Sequence, residues 1–460
     1  MPTVTVDTDT SILGSLDDRI AERLKAADFR SWRGRVESTG GCAKPIHLDG
    51  EWRIEHAETG DTLAERAGLV MAPCGNRRAS VCPACADRYA ADCFHLIRAG
   101  LSGGKGIPVS VASKPRLFVT LTAPSFGPVH TQRRGAGSGK RIPCACGAYH
   151  LDADTRLGTP IDPGTYDYAG AVLWQAHSGD LWHRFTVRLS RELAKAAGMK
   201  VREIDDHARI AYAKVAEYQR RGLIHFHAVI RLDGPNGADS PAPRWAHPDI
   251  LTAAVQAAAR RSEVRRTLTT PDGTLAPHQF VWGEQVDIKT IQPVDAHRVE
   301  TGEGEITDQA LAGYIAKYAT KGTSTSDAAD RPIRSEVDID NLIISEHHRQ
   351  MIRTAWELGG LPGLSFLRRW AHMLGFRGHF LTKSQRYSRS FQGLRAERAA
   401  WRHTELLERF GVTEDDIVVI NDWRTTGAGY ATDAERELAS AIYERVRQQR
   451  IDRYEREAAA

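Results

Sequence analysis

The sequence predicts an α+β fold in which a central antiparallel sheet, flanked by helices, occupies about residues 115–322. Three observations lead there. Two apolar runs, RIAYAKVAEYQ (209–219) and LIHFHAVIRLD (223–233), are separated by Arg-Arg-Gly and read as the strands of one hairpin. Further alternating runs lie at 115–124 and 279–291, with helical periodicity between them. No glycine-rich phosphate loop and no regular βα alternation accompany them, which disfavours a doubly wound parallel sheet.

Along the chain, residues 14–38 read as an amphipathic helix that ends before Gly40 and Gly41, within an accessory region spanning 1–70. Residues 71–150 form a cysteine-rich region that includes the first core strand. There Leu117, Val119 and Leu121 alternate with Phe118, Thr120 and Thr122 before Pro124. The stretch QRRGAGSGKR (132–141) is an exposed loop. A helix is predicted over 168–198, because Trp182, Phe185, Leu189 and Leu193 recur at helical spacing and Gly198 can end it. After the hairpin come a loop at 234–243, a helix over 248–267 and a strand over 279–291. The loop RVETGEGE leads to a helix over 308–322, and 323–460 reads as a helical, highly charged C-terminal region.

The 460 residues are ordinary in composition, 41% hydrophobic and 26% charged, which excludes a mainly disordered, collagen-like or coiled-coil chain. A net charge of +4 is too mild to identify a nucleic-acid partner by itself. No apolar run approaches the roughly 20 residues of a membrane span, and the start lacks a basic segment followed by an apolar one. The expectation is a cytoplasmic protein with no membrane partner. Seven cysteines in such a chain argue for metal rather than disulfides. Cys82-Pro-Ala-Cys85 is a knuckle, and Cys144-Ala-Cys146, with Cys74 and His150 near in sequence, offers further ligands. The expected set for one closed, structural Zn2+ is therefore Cys74, Cys82, Cys85, Cys144 and Cys146, with Cys42 outside it. Buried free thiols are the competing reading.

His225-Phe226-His227 sits within an apolar strand, so its two imidazoles share one face and could share a divalent ion. With 18 histidines, chance alone gives about 0.7 such pairs, and the flanking aliphatic residues carry the argument rather than the spacing. A third ligand should come from the partner strand of the hairpin. Glu217 is the candidate, with Glu284 and Asp287 as alternatives. Tyr314 and Tyr318 are four apart on the predicted helix 308–322, with Lys317 and Lys321 beside them. Aromatic pairs at this spacing usually pack, yet nearby ammonium groups would favour a nucleophilic phenolate and contact phosphate. A metal that polarises a phosphodiester and a tyrosine that attacks it would together make a nicking and joining site. In 384–403, Arg386, Arg389 and Arg395 interleave with Tyr387, as suits a DNA backbone track with stacking groups; a solvated helix with a packed aromatic face is the alternative.

FVTLTAPSFG (118–127), GLIHFHAVIRLDG (222–234) and YIAKYATKG (314–322) resemble the three ordered motifs of the HUH superfamily of rolling-circle replication initiators. CGNRRASVCPACADRYAAD, TLTAPSFGPVH and RWAHMLGFRGHFLTKS resemble more closely the RepSA-type initiators of actinomycete plasmids and integrative elements. The resemblance runs from about Cys74 to Tyr387. It implies an HUH-endonuclease-like core, with His225 and His227 binding Mg2+ or Mn2+ and Tyr318 or Tyr314 as nucleophile. The implied activity is nicking of one strand at a double-strand origin, with a 5′-phosphotyrosine adduct and later rejoining. The implied partners are origin DNA, duplex and single-stranded, with a host helicase and polymerase. A conjugative relaxase would use the same chemistry but places its tyrosine near the amino terminus, whereas the first tyrosine here is Tyr89. A zinc-dependent DNA-binding regulator without catalysis is the rival of another class.

Overall fold

The computed structural model describes residues 15–135, 139–270, 272–291, 311–313 and 332–459. In chain order the strands are β1 (Ile46–His56), β2 (Thr62–Ala67), β3 (Val70–Ala72), β4 (Arg116–Leu121), β5 (Arg133–Arg134), β6 (Arg141–Ile142), β7 (Arg209–Tyr218), β8 (Ile224–Asp233), β9 (Glu263–Thr269), β10 (Leu275–Val281), β11 (Val286–Thr290), β12 (Leu381–Lys383) and β13 (Ile417–Ala428). The first five helices are α1 (Leu16–Lys25), α2 (Phe29–Ser38), α3 (Pro83–Ser102), α4 (Tyr168–Ala196) and α5 (Pro248–Arg261). The fold is mixed α+β, and every strand pairing among the described residues is antiparallel.

The chain forms two compact units, one from residues up to 89 together with 395 onward, the other from 90–394. This division differs from the four segments read along the sequence. In the first unit β1 pairs with β13 from Ile46↔Ala428 to His56↔Ile417, so the two ends of the chain share one sheet. Trp32 and Val36 of α2 pack with Met71, Ala439 and Ile442, the last two from the helix Asp433–Ala459. Arg23 lies 4.9 Å above the Trp32 ring and binds Glu435 at 2.9 Å. The C-terminal region is thus helical only in part. β13 is largely solvent-exposed along its length, so it lacks the apolar alternation that marks a strand in sequence.

The second unit contains a five-stranded sheet in the order β11-β4-β8-β7-β12. β8 is central and buried at nine of its ten positions. One face is closed by α4 and α5, whose Leu181, Phe185, Leu189, Leu193, Leu251 and Val255 join Phe226 and Ile230 in the main core. The single helix predicted over 248–267 ends at Arg261, and β9 begins at Glu263. The single strand predicted over 279–291 is two strands: β10 pairs with β9, while β11 pairs with β4. Between them Gly283 donates its N–H to the Thr122 carbonyl, and a Cβ there would lie 2.7 Å from the Ala123 oxygen. That close approach turns the chain from one sheet to the other.

Lys214 of β7 is an exception to the apolar core. It is buried, with its Nζ 3.8 Å from the centre of the Phe226 ring and 5.3 Å from that of Trp182. Burial pushes its pKa down to about 7. The unfolded chain keeps this proton up to about pH 10.4, so between those values the unfolded state binds more protons and stability rises with pH. Lys214→Met should therefore be more stable than the parent at pH 7, and the advantage should shrink as pH rises towards 10. Urea denaturation at several pH values checks this, and an advantage independent of pH would contradict it.

Candidate metal centre

The centre starts at a three-residue turn. Gly222 donates its N–H to the Gln219 carbonyl at 2.9 Å and has φ +71°, the left-handed conformation that closes such a hairpin loop. Beyond it the pairing runs Tyr218↔Ile224, Glu217↔His225, Ala216↔Phe226 and Val215↔His227. Because side chains alternate, Glu217, His225 and His227 share the face opposite Phe226. Glu217 Oε2 lies 2.9 Å from Nε2 of both histidines, whose Nε2 atoms are 3.1 Å apart. Ligands bound facially to one divalent ion at about 2.1 Å are themselves about 3.0 Å apart, so the three atoms fit such an ion. A facial set leaves positions open for substrate oxygens.

Neighbouring strands hold these side chains in place. His227 Nδ1 is 3.0 Å from Thr120 Oγ1 of β4, which leaves Nε2 facing the carboxylate, and its ring stacks on Phe118 at 5.6 Å. Burial would raise the Glu217 carboxyl, but hydrogen bonds from His225 and His227 outweigh it and hold the pKa at about 2. Burial lowers the His227 pKa despite the carboxylate, favouring the neutral ring that a metal requires. Of the alternative third ligands, Asp287 of β11 stands opposite Thr120, two strands from His227. Glu284 lines a cavity with Arg220 and Arg221 instead. Tyr314, Lys317, Tyr318 and Lys321 lie outside the described residues.

The predicted zinc set is not one cluster. Cys74, Cys82 and Cys85 gather with Cys42, which the sequence reading excluded. The Sγ separations are 3.7 Å for Cys42–Cys82, Cys42–Cys85 and Cys74–Cys85. Tetrahedral zinc with Zn–S of about 2.3 Å sets sulfurs about 3.8 Å apart, whereas a disulfide needs about 2.05 Å. Cys144 and Cys146 belong to the other compact unit, where they meet His130 and His150. The correction has a physical cause: knuckle spacing identifies a ligand pair but does not say which distant residues complete its shell.

Tyr387 is also reassigned. Its ring is fully buried against Gly100, where a Cβ would lie 2.2 Å away, and its hydroxyl donates to the Ile97 carbonyl at 3.1 Å. It is a core residue and no base can stack on it. Arg386 and Arg389 are exposed yet donate to the carbonyls of Pro235 and Lys105, while Arg395 is exposed on the helix Phe391–Phe410. A basic surface that the sequence reading missed gathers Arg184, Arg188 and Arg191 of α4 with Arg261, Arg265 and Arg266. Helical spacing in α4 was its only local signal, because Arg261 ends α5 and Arg265 and Arg266 lie in β9.

The sequence reading also missed a buried positioning residue, Gln175 of α4. Its Nε2 donates to the carbonyls of Gly222 and Leu374 at 3.0 and 2.9 Å, and its Oε1 accepts the N–H of Ile224 at 3.0 Å. These bonds clamp the turn beside His225. Gln175→Leu keeps the volume but leaves these groups without partners, and should cost about 2–4 kcal/mol in urea denaturation. A loss below about 0.5 kcal/mol would refute the clamp.

The face that carries Glu217, His225 and His227 has a divalent-ion geometry but does not by itself identify the protein, and no solved structure matches the chain. Sequence relatives do identify it. The family model described as "Replication initiator protein, pSAM2" matches residues 28–444. A replication initiator protein from Streptomyces ambofaciens is 44% identical over 429 residues, which cover 91% of this chain and 90% of that protein. The match spans the hairpin, the cysteine clusters and the strands from both ends of the chain, so the chain belongs to the RepSA family of replication initiator proteins.

Proposed function

We propose that this replication initiator is a site-specific, HUH-type endonuclease and strand transferase that nicks one strand at its origin. The observation that carries the reading is the facial set Glu217, His225 and His227, whose donor atoms are 2.9–3.1 Å apart on adjacent strands of a rigid sheet. One hard divalent cation, Mg2+ or Mn2+, held there would offset negative charge on the non-bridging oxygens of a scissile phosphate. Thr120 fixes the His227 ring, and the central position of β8 keeps both imidazoles aligned before DNA arrives.

The tyrosine assignment rests on sequence. The Tyr318 phenolate would attack phosphorus, forming the phosphotyrosine ester at the 5′ end as the bond to the 3′ oxygen breaks; that oxygen leaves as a hydroxyl once protonated. Lys317 and Lys321 would favour the phenolate and neutralise phosphate charge. Attack by a later 3′ hydroxyl on the same ester releases the tyrosine and reseals the strand without ATP. Tyr314 would serve a second transfer. Arg395 and the exposed Arg184 and Arg191, with the half-buried Arg188 between them, are suited to phosphate contacts, and the freed 3′ end would be extended by a host polymerase behind a helicase. The four-cysteine cluster fits a structural Zn2+, since a closed thiolate shell leaves no position for substrate.

The test uses labelled single-stranded oligonucleotides tiling the protein's own origin, analysed on denaturing gels. The expected result is a covalent adduct that Tyr318→Phe abolishes. His225→Ala and His227→Ala should cut nicking by at least about 10²-fold while origin-duplex affinity stays within a few-fold. Tyr314→Phe should nick but fail in the second transfer. Binding without any adduct would favour the regulator reading. For the zinc cluster, Cys42→Ser and Cys82→Ser should both lose soluble protein, because structural zinc binding is coupled to folding. Soluble, active Cys42→Ser protein would remove Cys42 from the set.

A further inference from the structure

A second group of soft ligands lies within residues 128–161. His130, Cys144, Cys146 and His150 each offer a donor atom, and all four donors lie within 4.8 Å of one another. The chain is shaped for this. Gly147, at φ +85°, donates its N–H to the Cys144 carbonyl at 2.9 Å, and the Cys144 N–H bonds the Ala148 carbonyl at 2.8 Å, closing a tight turn around the two cysteines. His150 follows Cys146 by four residues and brings Nε2 to 3.2 Å from the Cys146 sulfur. His130 enters from a separate segment, fixed by backbone bonds to Gly158 and Thr159, and its Nδ1 lies 3.2 Å from the same His150 Nε2.

The surroundings set the chemistry of these donors. Asp154 Oδ2 is 2.7 Å from His150 Nδ1, which places the ring proton on Nδ1 and turns the Nε2 lone pair towards the other three donors. Arg156 holds Asp154 in turn, at 2.9 Å. The Thr131 N–H points at the Cys144 sulfur at 3.5 Å, as backbone donors do to bound thiolates. Tetrahedral zinc, with Zn–N of about 2.0–2.1 Å and Zn–S of about 2.3 Å, sets nitrogen–nitrogen and nitrogen–sulfur separations of about 3.4 and 3.6 Å. The observed spacings are close to these. Cys146, His150 and Asp154 could also be read as a thiol activated by a histidine and an acid. That reading leaves unexplained why His130 and Cys144 converge on the same point.

We propose that His130, Cys144, Cys146 and His150 bind a structural Zn2+ of their own, distinct from the four-cysteine site and independent of the nuclease centre. The ion would tie the segments at 130, 144–150 and 154–159 into one flap. That flap supplies Val129, His130, Thr131 and Leu157 to a cavity of about 870 Å³ whose other walls include Arg220 and Arg221 of the hairpin turn. Arg220 reaches the flap directly, donating to the Asp152 carbonyl at 3.0 Å.

The experiment measures zinc in full-length protein by elemental analysis after gel filtration with a mild chelator. All variants carry His225→Ala, so that the facial site contributes no ion. About two zinc ions per chain are expected, falling to about one in Cys144→Ser or His130→Ala. If these variants do not fold, Asp154→Asn gives a second readout. It should keep the circular dichroism of the parent yet release one of the two ions to a competing chelator about 10–100-fold more readily, because an orienting carboxylate supports its histidine ligand. With Co2+ in place of zinc, Asp154→Asn should weaken only the absorption of a two-sulfur, two-nitrogen site and spare that of a four-sulfur site. An unchanged zinc count in soluble Cys144→Ser and His130→Ala protein would overturn the proposal. So would Cys146 in zinc-replete protein that iodoacetamide alkylates as fast as it does after chelation, since a coordinated thiolate is protected.

Discussion

The register between β7 and β8 is the constraint on which the candidate centre depends. Glu217 stands opposite His225, and His227 reaches the same carboxylate only because alternate residues of β8 return to the same face. A slip of one residue in β7 would send Glu217 to the face of Phe226 and α4, away from both histidines. Three features prevent it. The turn Gln219–Gly222 accepts a single geometry, with Gly222 in a conformation other residues rarely adopt. Gln175 fastens that turn from the helix side. β4 and β12 then pair with the free edges of the hairpin, so neither strand can shift without breaking a second ladder.

The far end of the hairpin is locked by charge. Arg231 and Lys114 converge on Asp233, at 2.7 and 3.1 Å, all three buried. Removing one partner would leave an uncompensated charge in the core, so the cluster specifies its arrangement strongly even if its net contribution to stability is small. Arg231 also lies 5.4 Å from the Tyr387 ring and donates to the Gly100 carbonyl. The aromatic-basic stretch around Tyr387 is therefore partly the wall of this charged core, although its arginines looked like a DNA track.

Among the described residues, three groups of side chains could hold a metal ion, and they differ in a way that separates their chemistry. Four thiolates, or two thiolates with two imidazoles, saturate a tetrahedral ion and suit zinc. One carboxylate and two imidazoles on an open strand face leave coordination positions free and suit a harder cation that meets substrate oxygen. The two thiolate-containing groups draw most of their members from loops and turns, with Cys85 in the first turn of α3, whereas the open one stands on two paired inner strands of the five-stranded sheet.

Local pattern in the sequence determined the hairpin and its turn, the first core strand, the helix at 168–196 and the common face of His225 and His227, because periodicities of 2 and 3.6 depend on near neighbours alone. It also brought out the knuckle cysteines and the RepSA resemblance, which the family match bears out. Only the tertiary structure decided what depends on distant partners. β13 finds β1 some 370 residues away, Cys42 and His130 each complete a cluster whose other members lie further along the chain, and Tyr387 turns inward because Gly100 leaves room for its ring. The same holds for Gln175, which reads as one polar residue in a long helix until the hairpin folds against it. Contacts of this kind are set by packing and by the need to pair buried polar groups, and neither is written in any short window of sequence.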